Sequence, residues 1–124
     1  MISKLILPLA MAATLLSGCG NSPEGVIQKF YEGVEKGSTT TVKETLSKQV
    51  LAMFDEAKLT AAVLKAQDEI KGCGGIAGIA VQLRGDGDAR LGSTTVTYKG
   101  QCKPKKEKAS VIKEDSKWKI ALAK

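Results

Sequence analysis

Apolar positions along this 124-residue chain fall into three regimes. Residues 5–16 form an almost unbroken apolar run. Between residues 22 and 71, apolar side chains recur at intervals of three and four, the spacing of one buried helix face. After the break at Gly72, Cys73, Gly74 and Gly75 the period becomes two, that of strands with one covered face.

Within the helical regime, Ser22, Pro23 and Glu24 supply a capping hydroxyl, a proline for the first helical position and an acid for the first turn. Val26, Ile27, Phe30, Tyr31 and Val34 then mark one face of a helix running to about Lys36, with Gly37 as a left-handed stop. Residues 38–41 cap a short second helix, which carries Val42, Thr45 and Leu46 on one side and ends near Lys48. Over residues 50–71, a stripe including Leu51, Phe54, Leu59, Val63 and Ile70 predicts a third helix, whole or in two pieces, with Asp55 or Thr60 as its cap.

In the alternating regime, Ile79, Val81 and Leu83 point one strand toward a core, and residues 85–88 supply turn chemistry. Leu91, Val96 and Tyr98 mark the next strand. Leu91 and Val96 are out of phase by one, which predicts a bulge near Gly92. A third strand over residues 105–113 has Ala109 and Val111 inward, and after a turn at residues 114–117 a last strand carries Trp118, Ile120 and Leu122. Three helices followed by four antiparallel strands predict an α+β domain, its helices packed on one face of a curved sheet.

The N-terminal run is 12 residues long and contains Pro8. It spans about 18 Å as a helix, against a hydrocarbon core of roughly 30 Å. One lysine before it and small residues after it give the layout of a signal peptide. Leu16, Ser17, Gly18 and Cys19 resemble the bacterial lipobox, in which the cysteine is acylated and the chain is cut before it. The expected organisation is a removed leader over residues 1–18, a lipidated tether over 19–22 and a single domain over 23–124. Residue 20 is Gly rather than Asp, which by resemblance to lipoproteins of double-membrane envelopes favours the outer membrane, facing the periplasm. In that oxidising compartment the two remaining cysteines, Cys73 and Cys102, are expected to form one structural disulfide. The alternatives are two free thiols or a redox couple, although redox couples usually sit two residues apart and these lie 29 apart.

Residues 22–47, the glycine pair with Ile76 at residues 74–76, and residues 111–120 resemble small bacterial lipoproteins of domain of unknown function family 4878. Those are similar to the nuclear transport factor 2-like, cystatin-like cone superfamily. The resemblance implies a cone of helices against a curved sheet. Its signatures are packing and turn residues, so it implies a fold and no activity.

Composition narrows the chemistry. The chain contains no histidine, which excludes Ser/His/Asp and Cys/His nucleophile systems and histidine metal ligands. Gly72, Gly74 and Ala77 follow a helix and precede a strand, the reverse of a dinucleotide fingerprint. Gly85, Asp86, Gly87 and Asp88 lack the later ligands of a calcium loop and read as a hairpin turn. Tyr31, Tyr98, Glu32, Asp55 and Asp68 are the available acid/base groups, in no spacing that demands catalysis. No cofactor and no metal are expected.

Charge is uneven. Residues 99–124 hold nine lysines against three acids, while residues 19–98 are close to neutral. Lys103, Lys105, Lys106 and Lys108 crowd the start of the third strand, where lysine commonly discourages edge-to-edge pairing and also suits an anionic lipid surface or an acidic envelope partner. Location and the lack of interleaved arginine or aromatic residues disfavour nucleic acid. The expectation is a noncatalytic binding or interaction module held to the membrane by lipid on Cys19. The rival reading is a small-molecule site, for binding alone or for isomerase- or dehydratase-type chemistry, between the first helix and the sheet, lined by Phe30, Tyr31 and Trp118.

Overall fold

The computed structural model describes residues 21–122, and Cys19 with the expected leader lies outside them. Helix α1 spans Pro23–Lys36, α2 Thr39–Thr45, α3 Lys48–Leu51 and α4 Glu56–Gly72. Strands β1 (Ile76–Arg84), β2 (Ala89–Tyr98), β3 (Lys105–Glu114) and β4 (Lys117–Ile120) follow in an antiparallel sheet of order β1-β2-β3-β4. The architecture is α+β, four helical segments against a curled four-stranded sheet. No helix among the described residues is long and apolar enough to cross a membrane.

The local chemistry explains the elements. The Ser22 side chain accepts a hydrogen bond from the Gly25 N–H at 2.8 Å, and Gly37 closes α1 in the left-handed conformation at φ 71°. Ser38, Ser47 and Asp55 cap the three later helices by the same geometry. Residues 50–71 divide at the Asp55 cap, which leaves Phe54 41% exposed in the link between α3 and α4.

Two apolar clusters hold the helices to the inner face of the sheet. Val34, Val42, Leu46, Val50, Leu59, Val63 and Ile70 pack mainly among the helices. Val26, Ile27, Val111 and Trp118 join the start of α1 to β3 and β4. The β4 edge is closed by the link after α2, where the Ser47 N–H donates to the Ile120 carbonyl at 2.9 Å.

The bulge expected near Gly92 is absent. Gly92 pairs in unbroken register with Leu83 on one side and Ala109 on the other, and the irregularity lies instead between Ile76 and Gly78. The inward residues of β2 are Arg90, Gly92, Thr94, Val96 and Tyr98, while Leu91 points outward and is 54% exposed. Arg90 holds an inward position by laying its guanidinium over Trp118, 5.0 Å from the ring centroid. The last strand also ends earlier than expected, leaving Leu122 outside it.

Opposite the β3–β4 turn, Cys73 and Cys102 are joined in a disulfide with 5.4 Å between Cα atoms. Two glycines make that junction narrow. The Gly100 N–H donates to the Cys73 carbonyl at 2.8 Å, and a Cβ on Gly74 or on Gly100 would collide with the facing backbone. Closing a loop of this length contributes roughly 3.5 kcal/mol in the chain-entropy model.

A Cβ on Gly92 would collide with the Gln82 carbonyl of β1, whereas one on Gly87 would meet nothing within 4 Å. Gly92→Ala is therefore expected to cost about 1–3 kcal/mol through forced backbone shifts, and Gly87→Ala much less. Thermal melts check this, at roughly 4–8 °C for each kcal/mol in a domain of this size.

Candidate functional site

Between α1, α4 and the inner face of β2 and β3 lies a cavity of about 180 Å³ that opens to the surface. Phe30 and Tyr31 enter it from α1, Glu69 and Ile70 from α4, Tyr98 from β2 and Glu107 from β3. Phe30 and Tyr31 meet edge to face with centroids 5.1 Å apart. Phe30, Val34 and Ala66 are shared with an adjoining chamber of about 330 Å³, whose other walls include Val42, Leu46 and Val63. That chamber is almost wholly apolar, and its size lies within the roughly 300–1,000 Å³ of small-molecule pockets. One end of the combined cleft is thus apolar and the other carries polar groups.

The polar end is organised around Glu107. The Tyr31 hydroxyl donates to Glu107 Oε1 at 2.9 Å, and Lys105 Nζ stands 3.4 Å from Glu107 Oε2. Both charged partners are about half exposed, so their pairing is worth no more than about 1 kcal/mol. Burial pushes the Tyr31 phenol well above the ordinary tyrosine range, reinforced by the charge and hydrogen bond of Glu107 and by the neighbouring Tyr98. A phenol so held stays protonated at physiological pH. It serves as a fixed donor rather than as a base.

Of the three aromatic residues expected to line one cavity, the structure brings Phe30 and Tyr31 together and sets Trp118 apart. Trp118 is 7% exposed, packed with Val26, Ile27 and Val111 under Arg90 and Lys113. The four lysines divide as well. Lys105 lies on the inner face at the cavity mouth, Lys106 and Lys108 alternate with it on the outer face, and Lys103 sits in the loop beside Cys102. Among the other acid/base groups, Tyr98 lines the cavity, Asp55 caps α4, and Glu32 and Asp68 are exposed. Among the described residues no group of three or more acids or cysteines is placed to hold a metal ion.

Glu107 is the functional residue that the sequence reading passes over, because it sits within a run dominated by lysine. The signal is its phase. It lies two residues before the inward Ala109, on the same face.

No family model matches the sequence, and no curated protein matches it. Among solved structures, a Campylobacter jejuni protein described as an NTF2-like transpeptidase is similar with a TM-score of 0.67 over 82% of this chain and 98% of that one, at 17% identity. That likeness shows the nuclear transport factor 2-like cone fold and nothing of the chemistry.

Tyr31→Phe is expected to remove from a spectrophotometric titration the phenol that ionises above the ordinary value of about 10. Because the folded-state value is raised, Tyr31 leaves stability unaffected below that pH and lowers it above, as the unfolded chain loses its proton first. The variant should therefore lose less stability than the wild type in alkaline denaturation series.

Proposed function

We propose that this chain is a lipid-anchored envelope lipoprotein, of the kind grouped in domain of unknown function family 4878, whose α+β domain binds a small molecule without chemical turnover. The tether is lipid on Cys19, and the outer membrane facing the periplasm is the favoured location. The single observation that carries the binding role is the two-part cleft, open to the surface and furnished with convergent polar groups at one end. A domain serving only as an interaction scaffold has no need of such an interior. Compounds with an apolar body and one polar head match it, the body in the chamber beyond Phe30 and the head near Tyr31 and Glu107.

Several features support a noncatalytic role. The chain has no histidine, and both cysteines among the described residues are tied in the disulfide. The hydroxyl–carboxylate pair at the polar end, Tyr31 with Glu107, holds a phenol whose proton burial retains, so it serves as a donor rather than as an activated nucleophile. The transpeptidase activity in the name of the Campylobacter jejuni protein is not carried over, since fold alone does not specify chemistry.

Two readouts on the protein purified from its membrane test this reading. Intact mass should show a chain beginning at acylated Cys19, and Cys19→Ser should shift the protein to an unprocessed or soluble form. Native mass spectrometry should detect a retained small molecule that organic extraction removes. An unacylated wild-type N-terminus contradicts the anchor, and a chain that retains and binds no compound contradicts the binding role.

A further inference from the structure

The two ends of the domain differ in their distance from the tether. The Asn21 side-chain carbonyl accepts the Trp118 backbone N–H at 2.8 Å, and Ser22 caps α1 directly afterwards. The chain is thereby tied to the start of β4. Cys19 lies two residues before Asn21, so its Cα is at most about 8 Å from that of Asn21. A lipid held on so short a leash leaves the domain little freedom to tumble away from the headgroups.

The surface around this attachment is the end of the sheet formed by the β1–β2 and β3–β4 turns. Lys113 pairs with Trp118 in the register of β3 and β4, and its N–H donates to the Asp88 carbonyl of the other turn at 2.8 Å. Exposed Lys117 and half-buried Lys119 flank Trp118, and Lys29 and Glu44 complete the depression beside Asn21. Acids in the two turns, with Glu24 and Glu44, nearly offset the lysines and Arg90 here. Net charge therefore does not select this end, and the tether does.

The cavity mouth and the lysine-rich start of β3 stand toward the other end. Lys106 is seven residues along β3 from Lys113, roughly 20 Å away at strand spacing. Lys105, Glu107 and Tyr98 at the cavity mouth, and the Cys73–Cys102 bridge, share that distant end.

We infer that the end bearing Asn21, Lys113 and Lys117 is the membrane-facing surface of the domain, seated on the lipid headgroups of the leaflet that holds the acyl chains of Cys19, with the cavity mouth turned outward to the aqueous side. Phosphate groups are the contact chemistry offered to Lys113 and Lys117. The inference rests on the lipid-anchor reading above. It adds that ligand enters from the aqueous compartment, and that the lysines on the outer face of β3 do not touch the bilayer.

Lysine acylation footprinting of the full mature protein tests this, in detergent and in vesicles of phosphatidylglycerol and phosphatidylethanolamine, with peptide mass spectrometry reading each lysine. In vesicles Lys113 and Lys117 should label several-fold less than in detergent, with Lys106 and Lys108 unchanged, and the pattern should persist at high salt. Inserting a flexible glycine-serine segment after Gly20 should restore both lysines to their detergent reactivity. The same digest reports the mass of the Cys19 peptide. If that peptide carries no acyl chains, the anchor reading itself fails and the inference falls with it. If it is acylated and Lys113 and Lys117 label as freely in vesicles as in detergent, or Lys106 and Lys108 are protected instead, the orientation alone is overturned. Protection that survives the insertion overturns the short tether as its cause.

Discussion

Among the described residues, helix α1 is the element that contributes buried side chains to both halves of the core, and the cleft exists because it must. Its first turns bury Val26 and Ile27 against Val111 and Trp118, and its last turns bury Val34 against Val42, Val63 and Ile70. Each fully buried aliphatic side chain contributes about 1.5–3 kcal/mol, so both contacts are strong enough to fix the helix at its two ends. Between them Phe30 and Tyr31 face a sheet surface that offers Thr94, Val96 and Glu107, with Ile120 as its large aliphatic residue. The chain has only five aromatic side chains and does not fill that gap. The unfilled space is the candidate site, held open by packing on either side of it.

The two ends of the sheet are fastened differently. At one, Asn21 binds β4 and fixes the start of α1 to the sheet. At the other, the disulfide and the close approach of Gly74 and Gly100 tie the exit of α4 to the chain entering β3. The Ile76 N–H donates to the Glu35 carboxylate at 2.9 Å, which locks the C-terminal end of α1 to the first strand on that same side. The cleft mouth is thereby framed by rigid elements, the condition for a polar group such as Tyr31 to stay aimed at its partner.

Element order, helix caps and the cysteine pair were legible in the sequence because each follows from local chemistry. Ser22, Gly37 and the glycine break after α4 act where they stand, whatever the tertiary context. The failures come from residues whose role is set across the sheet. Leu91 reads as inward by its hydrophobicity, yet it points outward while Arg90 beside it lies inward over the Trp118 ring, and that misphasing created a bulge that does not exist. Trp118 reads as a cavity residue because it is large and aromatic, but the register places it with Val111 at the end of the sheet beside Asn21. Glu107 shows why summing charge over a segment loses information. In a strand, neighbouring residues belong to opposite faces, so Lys105 and Glu107 serve the cleft while Lys106 and Lys108 face outward.

The central claim is that the cleft beside Phe30 is a binding site and not a packing defect. Ala66 separates these alternatives, since it lines both the polar cavity and the apolar chamber. Ala66→Leu adds apolar volume to that shared wall. Native mass spectrometry of this variant beside the wild type, with a thermal melt to confirm folding, is the most direct measurement. The account predicts a folded variant whose melting temperature is equal or higher and from which the retained compound is lost. A folded variant that carries the same compound at the same occupancy would contradict it.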